Sequence, residues 1–186
     1  MVNPIHNTTI MAENLNAKDN TYELYKYAVK KNQNVFFVVS NAVRKKQTNP
    51  KIRRRMIAHD SKKHLLVLMF SKRWISSFSL NGELLPNRGL KDVHYLLLPT
   101  EWVLVPHGFA PGDKEVAIIH SINWGLPNRC LVCDSYEKKN WENYGYQNVE
   151  VTGFPRLDKW YRAKLNEDEI VVFFTWREQL HKVAKE

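Results

Sequence analysis

Short, dense apolar runs alternate along this chain with stretches whose apolar residues recur at helical spacing. Val35-Phe36-Phe37-Val38-Val39 is a continuous run, the pattern of a strand buried on both faces. The same reading predicts strands over Arg73–Phe78, Glu101–Val105, Arg129–Cys133, Val149–Thr152 and Ile170–Phe174. Between them, Tyr22, Tyr25 and Val29 fall at i, i+3 and i+7, and Asp19-Asn20 offers a cap. A helix is therefore predicted over Thr21–Lys31. Further helices are predicted over Lys62–Phe70, over Ser135–Tyr144 with Gly145 as its stop, and from Pro155 to about Ala163. Residues 1–18 show no strong periodicity and read as a lead-in. Asn81–Leu90, with Gly82, Pro86 and Gly89, reads as a loop, and Asn166–Glu169 as a polar linker. Buried strands alternating with helices predict an α/β fold: a Rossmann-like parallel sheet with helices on both faces.

Charge changes this picture most. Arg44, Lys45, Lys46, Lys51, Arg53, Arg54, Arg55, Lys62, Lys63, Lys72 and Arg73 stand against one acid, Asp60, so residues 44–73 carry a net +10. The remainder holds 17 basic and 18 acidic residues, so the whole +9 excess is local. Such a segment attracts a polyanion or an anionic membrane surface, or is simply a solvated face. There is no RNP, KH or zinc-finger pattern, and the aromatics are dispersed through apparent core segments, so no nucleic-acid partner is expected.

At 186 residues the chain can bury a core, and nothing in it reads as a membrane span. Its longest apolar run, Leu65–Phe70, has six residues against the roughly 20 a spanning helix needs. The N-terminus has no basic region followed by an apolar one, so no signal peptide is predicted. A soluble cytoplasmic protein is expected, able to sit on a membrane. Cys130 and Cys133 form a lone C-x-x-C in a strand-like run without further ligands at zinc spacing, and read as core cysteines. No metal or cofactor is expected, and the dinucleotide and P-loop fingerprints are absent.

In a sheet of this kind, function sits where strands end and loops begin. Three ends carry chemistry. Val105-Pro106-His107-Gly108 places an imidazole, suited to proton transfer near neutrality, beside a glycine that lets a ligand approach the backbone. The alternative is a structural turn histidine. Thr152-Gly153-Phe154-Pro155-Arg156-Leu157-Asp158 places a cation in a first helical turn, where it opposes the helix dipole; with free N–H groups it would hold a phosphate. The alternative is pairing with a local acid such as Asp158. Thr175-Trp176-Arg177 puts a hydroxyl and a guanidinium after the last strand, for an anion or for plain capping.

These three segments, in this order, resemble the CDP-glycerol glycerophosphotransferases of wall-polymer (teichoic-acid type) synthesis. Members of that family carry a strand ending in H-G, then T-G-x-P-R-x-D, then a strand ending in T-W-R. Asp134-Ser135-Tyr136-Glu137 with Tyr144-Gly145-Tyr146, Asp19–Ala28 and Leu66–Ser77 are also similar to family segments, so the likeness runs from about Asp19 to Glu178. Pro106 departs from the Gln usual before H-G. The resemblance implies the N-terminal half of a GT-B fold, truncated at the start of the second half. Residues 1–18 would be the lead-in, 19–165 the acceptor-side domain, and 166–186 the beginning of the donor-side domain. It implies transfer of glycerol phosphate from CDP-glycerol to an anionic polymer or lipid-linked acceptor, with activity not expected of this half alone. His107 would act as general base, and Gly108, Arg156, Thr175 and Arg177 would lie near the donor phosphates. The basic segment would face the acceptor or the inner face of the cell membrane. Competing readings are a CDP-ribitol phosphotransferase, another GT-B glycosyltransferase, or a non-catalytic polyanion-binding module.

Overall fold

The computed structural model describes residues 8–80, 83–86, 100–109, 116, 117, 119 and 126–161. At its centre lies β1 (Thr9–Ala12), a four-residue strand inside the stretch expected to be a lead-in. It is flanked by β2 (Val35–Val39) on one side and β4 (Arg73–Ser76) on the other, parallel to both. With β3 (Met56–Ala58), β5 (Glu101–Leu104), β6 (Arg129–Val132) and β7 (Val149–Val151), they form an all-parallel seven-stranded sheet of order β3-β2-β1-β4-β5-β6-β7. The chain order reverses between β1 and β4, the switch point of a Rossmann-like sheet. The predicted α/β architecture is the one observed. The predicted strand over Ile170–Phe174, the linker before it, and much of the predicted loop after Leu80 lie outside the described residues.

Five helices begin where a side chain accepts an orphan N–H. Asp19 caps α1 (Asn20–Lys30), Ser40 caps α2 (Asn41–Lys46), and Asn49 caps α3 (Pro50–Arg54), which has Pro at its first position. Ser61 caps α4 (Lys62–Phe70). Asp134 and Glu137 form a capping box at α5 (Ser135–Asn143): Asp134 Oδ1 accepts from Glu137 N–H at 2.8 Å, and Glu137 Oε2 accepts from Cys133 N–H at 2.7 Å. Gly145, at φ +83°, ends that helix as predicted.

Alternation along the strands separates two cores. Met11, Phe37, Val39, Val103 and Val105 face Tyr25, Ala28 and Val29 of α1, and the Tyr25 ring lies 4.9 Å from that of Phe37. Ile10, Ala12, Val38 and Leu104 face Leu68 of α4 and Trp141 of α5. Two buried polar side chains show the pairing that burial requires: Trp102 Nε1 donates to Ser76 Oγ at 2.9 Å, and Tyr25 OH to the Ile52 carbonyl at 2.7 Å. Cys130 packs in the second core, where burial pushes its thiol pKa up.

Two histidines clamp the turn at residues 83–86 onto the β3–α4 loop. The ring of His64, fully buried, accepts the Asp60 N–H at Nδ1 and meets the Leu84 carbonyl at 2.8 Å through Nε2; this arrangement requires the neutral imidazole. His59 Nε2 reaches the Leu85 carbonyl at 3.1 Å. Burial holds the His64 pKa down to about 4. The unfolded chain takes up this proton near the ordinary value of about 6.5, so stability is complete above that pH and is lost as pH falls towards 4. At about 1.4 kcal/mol per pH unit the loss amounts to about 3 kcal/mol. Urea midpoints measured across this range should fall accordingly. His64→Gln, which keeps a donor for Leu84, should flatten this limb; an unchanged slope would assign it to other groups.

Candidate active site

At the carboxyl edge of the sheet, the switch point is filled by the protein's own carboxylates. Glu13, directly after β1 and fully buried, accepts N–H bonds from Lys18 (2.5 Å), Asp19 (2.6 Å) and Tyr22 (2.9 Å). Burial raises its pKa, against the lowering effect of these three donors. Glu83 accepts from the backbone N–H groups of Asn14 (2.8 Å), Ser77 (3.2 Å), Phe78 (3.0 Å) and Ser79 (3.2 Å), and from the Ser77 hydroxyl at 2.9 Å. In dinucleotide-binding sheets the α1 N-terminus receives a pyrophosphate. Here Glu13 occupies that place, which agrees with the missing glycine fingerprint. Neither carboxylate was singled out from the sequence; an acid directly after a short apolar run is a faint signal.

The groups able to act on a ligand lie further along, over β5 to β7. β5 runs into Pro106-His107-Gly108. His107 is exposed, and its ring packs 5.4 Å from that of Phe78, which comes from the end of β4. Among the described residues no group hydrogen-bonds its ring nitrogens. A side chain added at Gly108 would meet no atom within 4 Å, so the approach to this backbone is open. After β7, Gly153 takes φ +72°, a left-handed turn that an L side chain would strain, and sends the chain into a 3-10 turn, Pro155–Leu157.

Arg156 joins these two strand ends. Its Nη1 donates to the His107 carbonyl at 2.7 Å and to Asp19 Oδ1 at 2.7 Å. Asn20, buried at the start of α1, completes the crossing: its Nδ2 donates to the Pro106 carbonyl at 2.7 Å, and its Oδ1 accepts from Arg156 N–H at 3.3 Å. The chain at His107 and at Arg156, 49 residues apart in sequence, therefore meets at the carboxyl edge through the His107 carbonyl. Two expectations change. The acid that pairs with Arg156 is Asp19, not Asp158. The N–H groups of the turn are not free for phosphate either: Arg156 N–H is taken by Asn20, Leu157 N–H by Phe154 O and Asp158 N–H by Pro155 O. What remains for an anion is the rest of the guanidinium fork, on a side chain 40% exposed. On the α1 side of this turn a cleft of about 830 Å³ opens over Leu24, Val105, Leu131 and Phe154. Thr175 and Arg177 lie outside the described residues.

The basic segment does not form one surface. α2 and α3 pack on the α1 side through Val43 and Ile52, whereas α4, with Lys62 and Lys63, packs on the opposite side through Leu68. Arg44 Nε donates to the Met56 carbonyl at 3.1 Å, and Arg55 donates to the Gln33 carbonyl. Lys63 lies over the Phe36 ring at 5.1 Å. Lys45, Lys46, Lys51, Arg53 and Arg54 are exposed. Among the described residues no helix is long and apolar enough to cross a membrane, and no cluster of His, Cys, Asp or Glu could hold a metal ion. A scan against protein-family models and searches for similar curated proteins and solved structures find no match.

Proposed function

We propose that this chain is the acceptor-side half of a CDP-glycerol glycerophosphotransferase-type enzyme. The single observation that carries this reading is that the H-G and T-G-x-P-R segments meet at the carboxyl edge, where Arg156 Nη1 donates to the His107 carbonyl. His107 would take the proton of an acceptor hydroxyl. The oxygen then attacks the phosphorus that bears glycerol, the pyrophosphate P–O bond breaks, and CMP leaves with the bonding pair. Such a transfer needs positioning and charge neutralisation more than covalent help. Arg156, held at one nitrogen by Asp19, offers its remaining N–H groups to the donor phosphates, and the resemblance adds Thr175 and Arg177. CMP release from CDP-glycerol, CDP-ribitol and a nucleotide sugar, compared in a protein carrying this chain with a donor-binding half, tests the donor class. Preference for either of the other donors would replace this reading.

The exposed cations of α2 and α3 support attachment to an anionic surface at the inner face of the membrane. Each contributes at most about 1 kcal/mol near such a surface, so Arg53→Gln with Arg54→Gln should weaken sedimentation with anionic vesicles by about tenfold at low salt. Arg55, tied to Gln33, should matter less. Unchanged sedimentation would mark the segment as merely solvated.

A further inference from the structure

We infer that a second cleft, between the β1–α1 loop and the end of α2, is a binding site for a phosphate ester. The cleft measures about 480 Å³ and lies at the carboxyl edge of β1 and β2, beside the position that Glu13 closes. Lys18 stands on one wall and Lys46 on the other, both exposed, and no Asp or Glu is among the described residues that line it. Neither lysine is in an ion pair among the described residues. Tyr22 and Thr48 bring hydroxyls to the same space, and Val43 and Met56 line it with apolar atoms.

The walls are built rather than loose. Leu15 and Ala17 adopt φ of 61° and 56°, conformations that cost non-glycine residues on the order of 1–2 kcal/mol each. The loop holds them because its backbone is pinned at several points. Asn14 N–H is bound by Glu83, Lys18 and Asp19 N–H by Glu13, and the Leu15 carbonyl accepts from Ser40 N–H at 3.2 Å. Lys18 thus projects from a fixed backbone. On the opposite wall, Gln47 Nε2 donates to Tyr22 OH at 2.8 Å, fixing the end of α2 against α1. That bond uses an acceptor position of the phenol, whose own proton stays available to a phosphate oxygen; burial raises the Tyr22 pKa and keeps the proton in place. The nearest acids are committed elsewhere: Glu13 to the α1 N–H groups, Asp19 to Arg156 and Glu23 to Lys26 and Lys159. Two exposed lysines from different elements lining one cleft, with two hydroxyls and apolar side chains in the same lining, suit a phosphate carried on a small aliphatic group. The site goes beyond the transfer reaction proposed above and stands whether or not that reaction is correct.

Isothermal titration calorimetry of the chain at low salt tests it, with glycerol phosphate and inorganic phosphate as soluble probes and phosphatidylglycerol vesicles as a separate arm. Lys18→Gln with Lys46→Gln, both surface changes, should weaken saturable binding by about tenfold or more, as loss of two charge-assisted contacts implies. Lys62→Gln with Lys63→Gln removes the same charge from the other side of the sheet and should leave affinity within about twofold, since exposed distant charges are screened. Loss of soluble-probe binding names a free phosphate ester as the ligand. Loss seen with vesicles alone names a lipid headgroup. Equal weakening by both double variants, or no saturable binding to any probe, would overturn the site.

Discussion

Glu13→Ala should destabilise the chain by at least about 3 kcal/mol. Three backbone N–H groups at the start of α1 converge on this side chain, which is wholly buried. Hydrogen bonds to a charged acceptor contribute about 1.5–3 kcal/mol each, and a buried donor left unsatisfied costs about 1–3 kcal/mol. These figures do not add fully, because the loop can relax and admit water, but even one orphaned donor with partial loss of the others reaches the stated value. Glu13→Gln should fall between Ala and the wild type: it keeps one acceptor oxygen and turns an NH₂ group towards donors. Urea unfolding at neutral pH measures both. A loss below about 1 kcal/mol for Glu13→Ala, less than one charge-assisted bond is worth, would mean that the α1 start is organised by Asp19 alone.

Much of this architecture could be read from local pattern. β2 lies where its apolar run puts it and α1 starts at its Asp19 cap, because each signal there is local, and α4 spans the predicted Lys62–Phe70. β1 escaped notice for a physical reason. Thr9-Ile10-Met11-Ala12 is short and set in polar sequence, and its ladder is supplied by two neighbours 26 and 64 residues away in register. β3 was hidden inside the cationic stretch, where Met56-Ile57-Ala58 is too short to stand out. The strand ends were legible as motifs, but their partners were not. Asp19 lies 137 residues from Arg156, so locality favoured Asp158. Likewise, the predicted Pro-led helix opens as a tight 3-10 turn over Pro155–Leu157 before an α-helical turn at Asp158–Tyr161, and that opening and Asn20 use the first-turn N–H groups.

His107→Ala should lower turnover by about 10² to 10⁴-fold, the usual contribution of a general base, with little change in donor affinity. On the proposed mechanism the exposed ring takes the acceptor proton, while the backbone carbonyl of His107 holds Arg156. The substitution removes the imidazole and leaves that carbonyl, so Arg156 should keep its position. Arg156→Ala should behave differently. On the proposed mechanism it removes a cation from the donor phosphates, and it unties the β5 loop from Asp19, so donor binding and turnover should fall together. If His107→Ala weakened donor binding as much as Arg156→Ala, the histidine would be holding the donor rather than moving a proton.

The reading as a whole is tested most directly by CMP release from CDP-glycerol with and without a glycerol-phosphate-primed acceptor. The assay uses a protein carrying this chain with a donor-binding half, as wild type and as His107→Ala. Acceptor-dependent release that matches glycerol phosphate incorporation, and that nearly disappears in the variant, is the predicted result. Full activity in His107→Ala, or release at the same rate without acceptor, would contradict an acceptor-activating histidine at this strand end.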